Sequence, residues 1–129
     1  MKAQDLRLGN FVIAKNEIIK IIEFRESFVL GENDNCLIRC LPSQIKPIEL
    51  TEKLLYKIGF CFDGVSGYGK HYVKTNGNDT LRCKIYEDGD MSLTCNNNAN
   101  LIQLHKVKFL HQLQNAYYLL TNQELDINL

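Results

Sequence analysis

The chain reads as an α+β fold in which a small N-terminal β-barrel precedes an antiparallel β-meander packed with two helices. Three observations predict this. Short apolar runs broken by turn residues fill positions 1–50, Asn-Gly and Asp-Gly pairs punctuate alternating runs between 71 and 95, and a helical apolar stripe runs from about Val107 to Thr121. Residues 1–50 are therefore expected to form a barrel-like subdomain. Residues 51–129 are expected to hold a helix, the meander and the C-terminal helix, with both parts inside one compact unit, as suits a chain of 129 residues.

The first runs are Asn10–Ala14, ending at Lys15-Asn16, and Ile18–Phe24, rich in β-branched residues and ending at Arg25-Glu26-Ser27. Phe28–Leu30 ends at the turn-rich Gly31-Glu32-Asn33-Asp34-Asn35, and Cys36–Leu41 ends at Pro42. Ile45–Ile48 is a fifth run, and its Pro47 suits only a strand end or an edge. Five short strands joined by tight turns favour closure, which removes exposed edges, and the expected form is a barrel of the Src-homology-3 type.

A short helix follows. Thr51 caps its free amides, Glu52 sits at the positive end of its dipole, and Gly59 supplies a left-handed stop. Phe60-Cys61-Phe62 leads into a glycine-rich loop, after which His71–Thr75, Leu81–Glu87 and Met91–Cys95 form antiparallel strands around Asn76-Gly77 and Asp88-Gly89-Asp90. An asparagine-rich loop over 96–100 precedes a last strand, Leu101–Leu104. In the final helix Phe109, Leu110, Leu113, Ala116, Tyr117 and Leu120 share one side, and Asn122 offers the stop.

Fifteen basic and fifteen acidic residues cancel, and they cancel locally as well. Nonspecific nucleic-acid binding draws on lysine and arginine against phosphate, so that role is disfavoured. No apolar run approaches the roughly 20 residues of a membrane span, and the first five residues lack the pattern of a signal peptide, so a cytoplasmic address without membrane association is expected. Five cysteines, an odd and scattered set, read as reduced thiols.

Gly64-Val65-Ser66-Gly67-Tyr68-Gly69-Lys70-His71 approaches a phosphate-cradling loop but lacks the closing Ser or Thr and the following helix. A plain loop between strands is the competing reading, with Gly67, Gly69 and Lys70 as the residues that would hold an anion. Cys36 and Cys40, with His71, His105 and His111, show no metal-ligand spacing, so no metal and no cofactor are expected. Asp88 and Asp90 are turn formers before they are paired carboxylates, and no ordered nucleophile, base and acid set is visible, so no catalytic residue is named and the chain is read as a non-enzyme. The polar residues of the last helix, His111, Gln112, Gln114, Asn115 and Tyr118, form the first candidate contact face. Its bland counterpart is a solvated helix side or one bonded to the sheet beneath.

The tract Lys108-Phe109-Leu110-His111-Gln112-Leu113-Gln114-Asn115-Ala116-Tyr117-Tyr118-Leu119-Leu120-Thr121 resembles the C-terminal signature of small uncharacterised proteins of Bacteroidota prophages and other mobile elements. Asp5–Val12 resembles their opening, and Ile45–Glu52 through Leu54-Leu55 and Ile58-Gly59-Phe60 their central junction, with Asn122 standing where glycine is common. The resemblance implies no reaction, cofactor or catalytic residue. It implies a mobile-element accessory protein, and the expected function is a non-catalytic protein-binding module whose partner is a host or phage protein, with antagonism of host defence as one form. The alternatives are a protein that sequesters a phosphate-bearing small ligand and an enzyme of unknown reaction. Leu119, Leu120 and the Tyr117-Tyr118 pair leave a homodimer open.

Overall fold

Where apolar residues alternate along the first fifty positions, the backbone forms β-structure with one oily face. These relationships come from a computed structural model that describes residues 5–96 and 101–129. The asparagine-rich loop lies, except for Asn96, outside the described residues. The chain divides into two compact units, Met1–Glu49 with Phe109–His111 and Leu50–Lys108 with Gln112–Leu129.

The first unit holds β1 (Phe11–Ala14), β2 (Glu17–Phe24), β3 (Val29–Glu32), β4 (Leu37–Cys40) and β5 (Ile45–Lys46), in the sheet order β4-β3-β2-β1-β5. All of its ladders are antiparallel. Lys15 and Asn16 both adopt left-handed backbone, with φ of 51° and 64°, the turn geometry whose twist matches a two-residue hairpin. One face buries Val12, Ala14, Ile19, Ile21, Val29, Ile38, Cys40 and Ile45, with Leu6 and Cys36 packed against it. The expected closed barrel is corrected to a sheet that is not closed. β5 is cut to two residues because Pro47 has no amide to donate, and its ladder is with β1 rather than β4.

Gly31, expected in a turn, lies inside β3. Its bare Cα gives room to the fully buried Ile19, whose side chain would collide with any Cβ there. A 3-10 turn, Pro42–Gln44, precedes β5, and the Gln44 side chain accepts from the Leu41 amide at 2.8 Å.

The second unit opens with α1 (Glu52–Lys57). Its Thr51 cap accepts from the Leu54 amide at 3.1 Å. It stops as expected at Gly59, with φ of 105°: Gly59 N–H donates to Tyr56 and Phe60 N–H donates back to Leu55, while Leu55 and Phe60 are both buried. Then come β6 (Cys61–Ser66), β7 (Gly69–Asn76), β8 (Asp79–Tyr86), β9 (Met91–Cys95) and β10 (Leu101–Leu104), a meander in the order β10-β9-β8-β7-β6. It has one strand more than the turn pairs suggested, since 61–66 pairs with β7 instead of looping.

Tyr72, Lys74, Asn76, Leu81, Cys83, Met91, Leu93 and Cys95 are buried on one face of this sheet. Within the unit, Tyr72 bonds to Glu52 of α1, and Asn76 bonds to Tyr117 of the second helix, α2 (Leu110–Thr121), so helices lie over that face. Helix α2 begins later than the stripe implied, because Phe109 is spent on an isolated bridge to Glu49 and Leu110 N–H donates to Ile48. It ends as expected at Asn122, which is left-handed at φ 59°. No helix of the described residues is long and apolar enough to cross a membrane.

Candidate functional site

The glycine-rich tract is a β-hairpin. Val65 pairs with Lys70 and Ser66 with Gly69, leaving Gly67-Tyr68 as a two-residue turn with Gly67 at φ 59°, the position a tight hairpin of this kind reserves for glycine. The Lys70 ammonium lies 3.6 Å from the Glu52 carboxylate. Gly67, Gly69 and Lys70 therefore serve a turn, a strand and an ion pair, and the expected loop is corrected accordingly: alternation through Phe62, Val65 and the β7 register overrides the glycine count.

The five polar residues of α2 do not share one exposed face. His111 is 6% and Gln114 is 1% exposed, while Gln112, Asn115 and Tyr118 are half-buried. The Gln112 side chain accepts from the Lys108 amide at 2.8 Å, which satisfies a donor ahead of the helix. His111 stacks on Phe109, with ring centroids 5.9 Å apart, and its Nδ1 has no hydrogen-bond partner among the described residues. Burial pulls its pKa down, opposed by the charge of Asp5. Leu119 is the large apolar residue this helix leaves exposed, whereas Tyr117 is fully buried.

Around Glu52 a cluster forms that sequence spacing did not reveal. Its carboxylate accepts from Tyr56 at 2.8 Å and from Tyr72 at 2.7 Å. The Tyr72 bond, then the Tyr56 bond and Lys70, hold that carboxyl below its ordinary range. Burial, then Glu52, pushes the Tyr72 phenol well up, and the bond to Glu52 raises Tyr56. The carboxylate, accepting two hydroxyl hydrogen bonds, fixes the positions of both phenol rings. Phe62 meets Tyr72 edge to face at 5.8 Å, and Tyr56 lies 6.3 Å from it.

From these rings an uncovered apolar strip continues to the hairpin tip. Tyr56 is 46% exposed, Phe62 48%, Val65 67% and Tyr68 78%. A pocket of about 210 Å³ opens beside Val65 and Tyr68, lined also by Lys70, Ile85, Tyr86 and Glu87. This volume is below the roughly 300–1,000 Å³ of small-molecule sites and suits a single side chain. The strip was hidden because Tyr56 and Tyr68 sit on a helix and a turn, and only the β6–β7 pairing sets Phe62 beside Tyr72.

The remaining candidates are structural. Asp88 accepts from the Asp90 amide, and Asp90 accepts from the Lys106 amide at 3.0 Å, its other oxygen lying 3.3 Å from His105. These contacts close a turn and hold the Asp90 carboxyl below its ordinary range, the Lys106 amide being the main cause. All five cysteines are free thiols, and burial pushes Cys83 up to about 12. Among the described residues no three His, Cys, Asp or Glu side chains group as metal ligands. The half of the sheet nearest Gly59 holds a buried cation, Lys74, whose ammonium lies against Gly59 at the negative end of α1.

The geometry of the described residues defines a class: an α+β protein with two antiparallel five-stranded sheets and two α-helices, and with an apolar strip on the second unit. Comparison of the chain with protein-family models, curated proteins and solved structures finds no match.

Proposed function

We propose that the chain is a non-catalytic protein-binding module that takes an extended segment of its partner along the strip Tyr56, Phe62, Val65 and Tyr68. The observation that carries this reading is four large side chains, each about half exposed or more, leading to a pocket the size of one side chain. Aromatic residues at such a surface contribute contact area at little conformational cost, which is why they dominate binding hot spots. β6 is an edge strand whose ladder is with β7, so an added strand has main-chain groups to meet; the bulge at Asp63 leaves Gly64–Ser66, beside the pocket, as its regular stretch.

A finer fold reading goes with it. The order β4-β3-β2-β1-β5 and the 3-10 turn Pro42–Gln44 directly ahead of β5 support a Src-homology-3-like first unit. The sequence resemblance supports a cytoplasmic accessory protein of mobile elements, with a host or phage protein as partner and antagonism of host defence as one role. The phosphate-sequestering alternative through Gly67, Gly69 and Lys70 is weakened, because Lys70, the cation such a site would use, lies 3.6 Å from the Glu52 carboxylate.

Selection of displayed peptides against the purified protein tests the reading. Enriched peptides should carry one large apolar residue in an extended context and should lose at least about tenfold in affinity to Val65→Glu and Tyr68→Ser, with the melting temperature unchanged. Peptides indifferent to both substitutions would remove the strip from consideration.

A further inference from the structure

On the opposite face of the same sheet, three side chains converge with no acid among them. The β7–β8 register places His71 directly across from Lys84, with Gly69 across from Tyr86 in the next row. Ser66 Oγ and His71 Nε2 are 2.6 Å apart. Lys84 lies flat across Gly69: a Cβ on that glycine would stand 2.7 Å from its Cε and 3.0 Å from its Cγ. The Lys84 ammonium thus reaches the hairpin tip, 3.9 Å from where a Gly67 Cβ would be and 4.8 Å from the centroid of the Tyr86 ring.

We infer that Ser66, His71 and Lys84 form an anion site that takes a phosphate group. Lys84 makes no ion pair with the described residues, and the neighbouring acid, Asp63, is held by Arg82 at 3.2 Å. When Nε2–H of His71 donates to Ser66 Oγ, the serine O–H is released to donate outward, so the hydroxyl, backed by the imidazole, and the Lys84 ammonium are the two donors. A tetrahedral dianion accepts from hydroxyl and ammonium at once, and charge-assisted bonds of this kind are the strong ones. Glycine at 69 is what aims the lysine, a role of bareness and not of backbone amides. Lys70, on the other face and paired with Glu52, takes no part.

Titration of the isotope-labelled full chain with inorganic phosphate at low ionic strength tests the site, because exposed charges are screened by salt. Amide resonances of Gly67, Gly69 and His71 should shift to saturation. Lys84→Met should weaken binding roughly tenfold and Ser66→Ala by a few-fold, as the loss of a charged and a neutral donor respectively implies; Lys70→Met should leave it unchanged. A phosphoserine tripeptide that binds more tightly than inorganic phosphate identifies a phosphorylated chain as the source, and equal affinity identifies the free anion. Wild-type titration by Lys84→Met, or by Ser66→Ala should the first variant fail to fold, overturns the site, as do identical shifts with chloride at matched ionic strength.

Discussion

The side-chain amide of Asn76 donates to the hydroxyl of Tyr117 at 2.7 Å, across 41 positions of sequence. The same Asn76 accepts from the Asp126 amide at 2.7 Å, while Tyr117 donates to Asp79 at 3.2 Å. One buried asparagine therefore joins the β7–β8 turn, α2 and the C-terminal tail of the second unit.

Removing that amide should be costly. Asn76→Ala takes a partner from both the Tyr117 hydroxyl and the Asp126 amide, and an expected loss of about 2–3 kcal/mol follows from leaving buried donors and acceptors unmet. Tyr117→Phe should cost less, about 1–2 kcal/mol. Urea unfolding monitored by circular dichroism measures both, and an Asn76→Ala protein as stable as the parent would show the network to be idle.

Gly31→Ala should destabilise by about 1–3 kcal/mol, the usual range for overpacking a filled core. The added methyl must displace the side chain of Ile19, a fully buried residue of the neighbouring strand β2. A second substitution that shortens the neighbour, Ile19→Val, should recover part of the loss. Independent, additive effects of the two changes would contradict the close approach.

His111 should make the fold sensitive to mild acid. Burial lowers its pKa in the folded chain, so the unfolded chain binds the extra proton first and stability falls as pH drops below about 6.5. His111→Leu removes both this slope and an unsatisfied buried nitrogen, and an expected gain of about 1 kcal/mol follows. Melting temperatures between pH 5 and 8, in steps of about one unit, separate the outcomes. A leucine variant that melts lower at every pH would mean that the imidazole supports the fold.

Glu52 acts in the same sense, at lower pH. Its folded pKa is depressed below the ordinary 4.5, so its contribution is present above that value and fades as pH falls through the folded value. Glu52→Gln should flatten the acid limb of a stability curve below about pH 4.5 without changing the limb near neutrality. Tyrosine absorbance should show Tyr72 ionising at lower pH in the variant, since the carboxylate that opposes its ionisation is gone.

Simultaneous alanines at His111, Gln112 and Asn115, the natural test of a polar contact face on α2, would confuse binding with folding. Gln112 holds the Lys108 amide and His111 is buried, so the melting temperature should move whatever the partner does. A solvated helix side and one bonded to its surroundings share the same residue types. Periodicity separates apolar from polar positions, yet it carries no information about what lies over the polar ones.

Local chemistry alone determined much of this chain. Thr51 and Gly59 bracket α1, Lys15-Asn16, Asn76-Gly77 and Asp88-Gly89-Asp90 mark hairpins, and Asn122 ends α2, because capping and turn preferences act within a few residues of one another. Tertiary structure decided the rest. Whether Gly31 or Gly64–Gly69 are turn or strand depends on what packs or pairs across from them, and the union of Phe62 with Tyr72, or of Ser66 with His71 and Lys84, exists only once strand register brings distant positions onto one face.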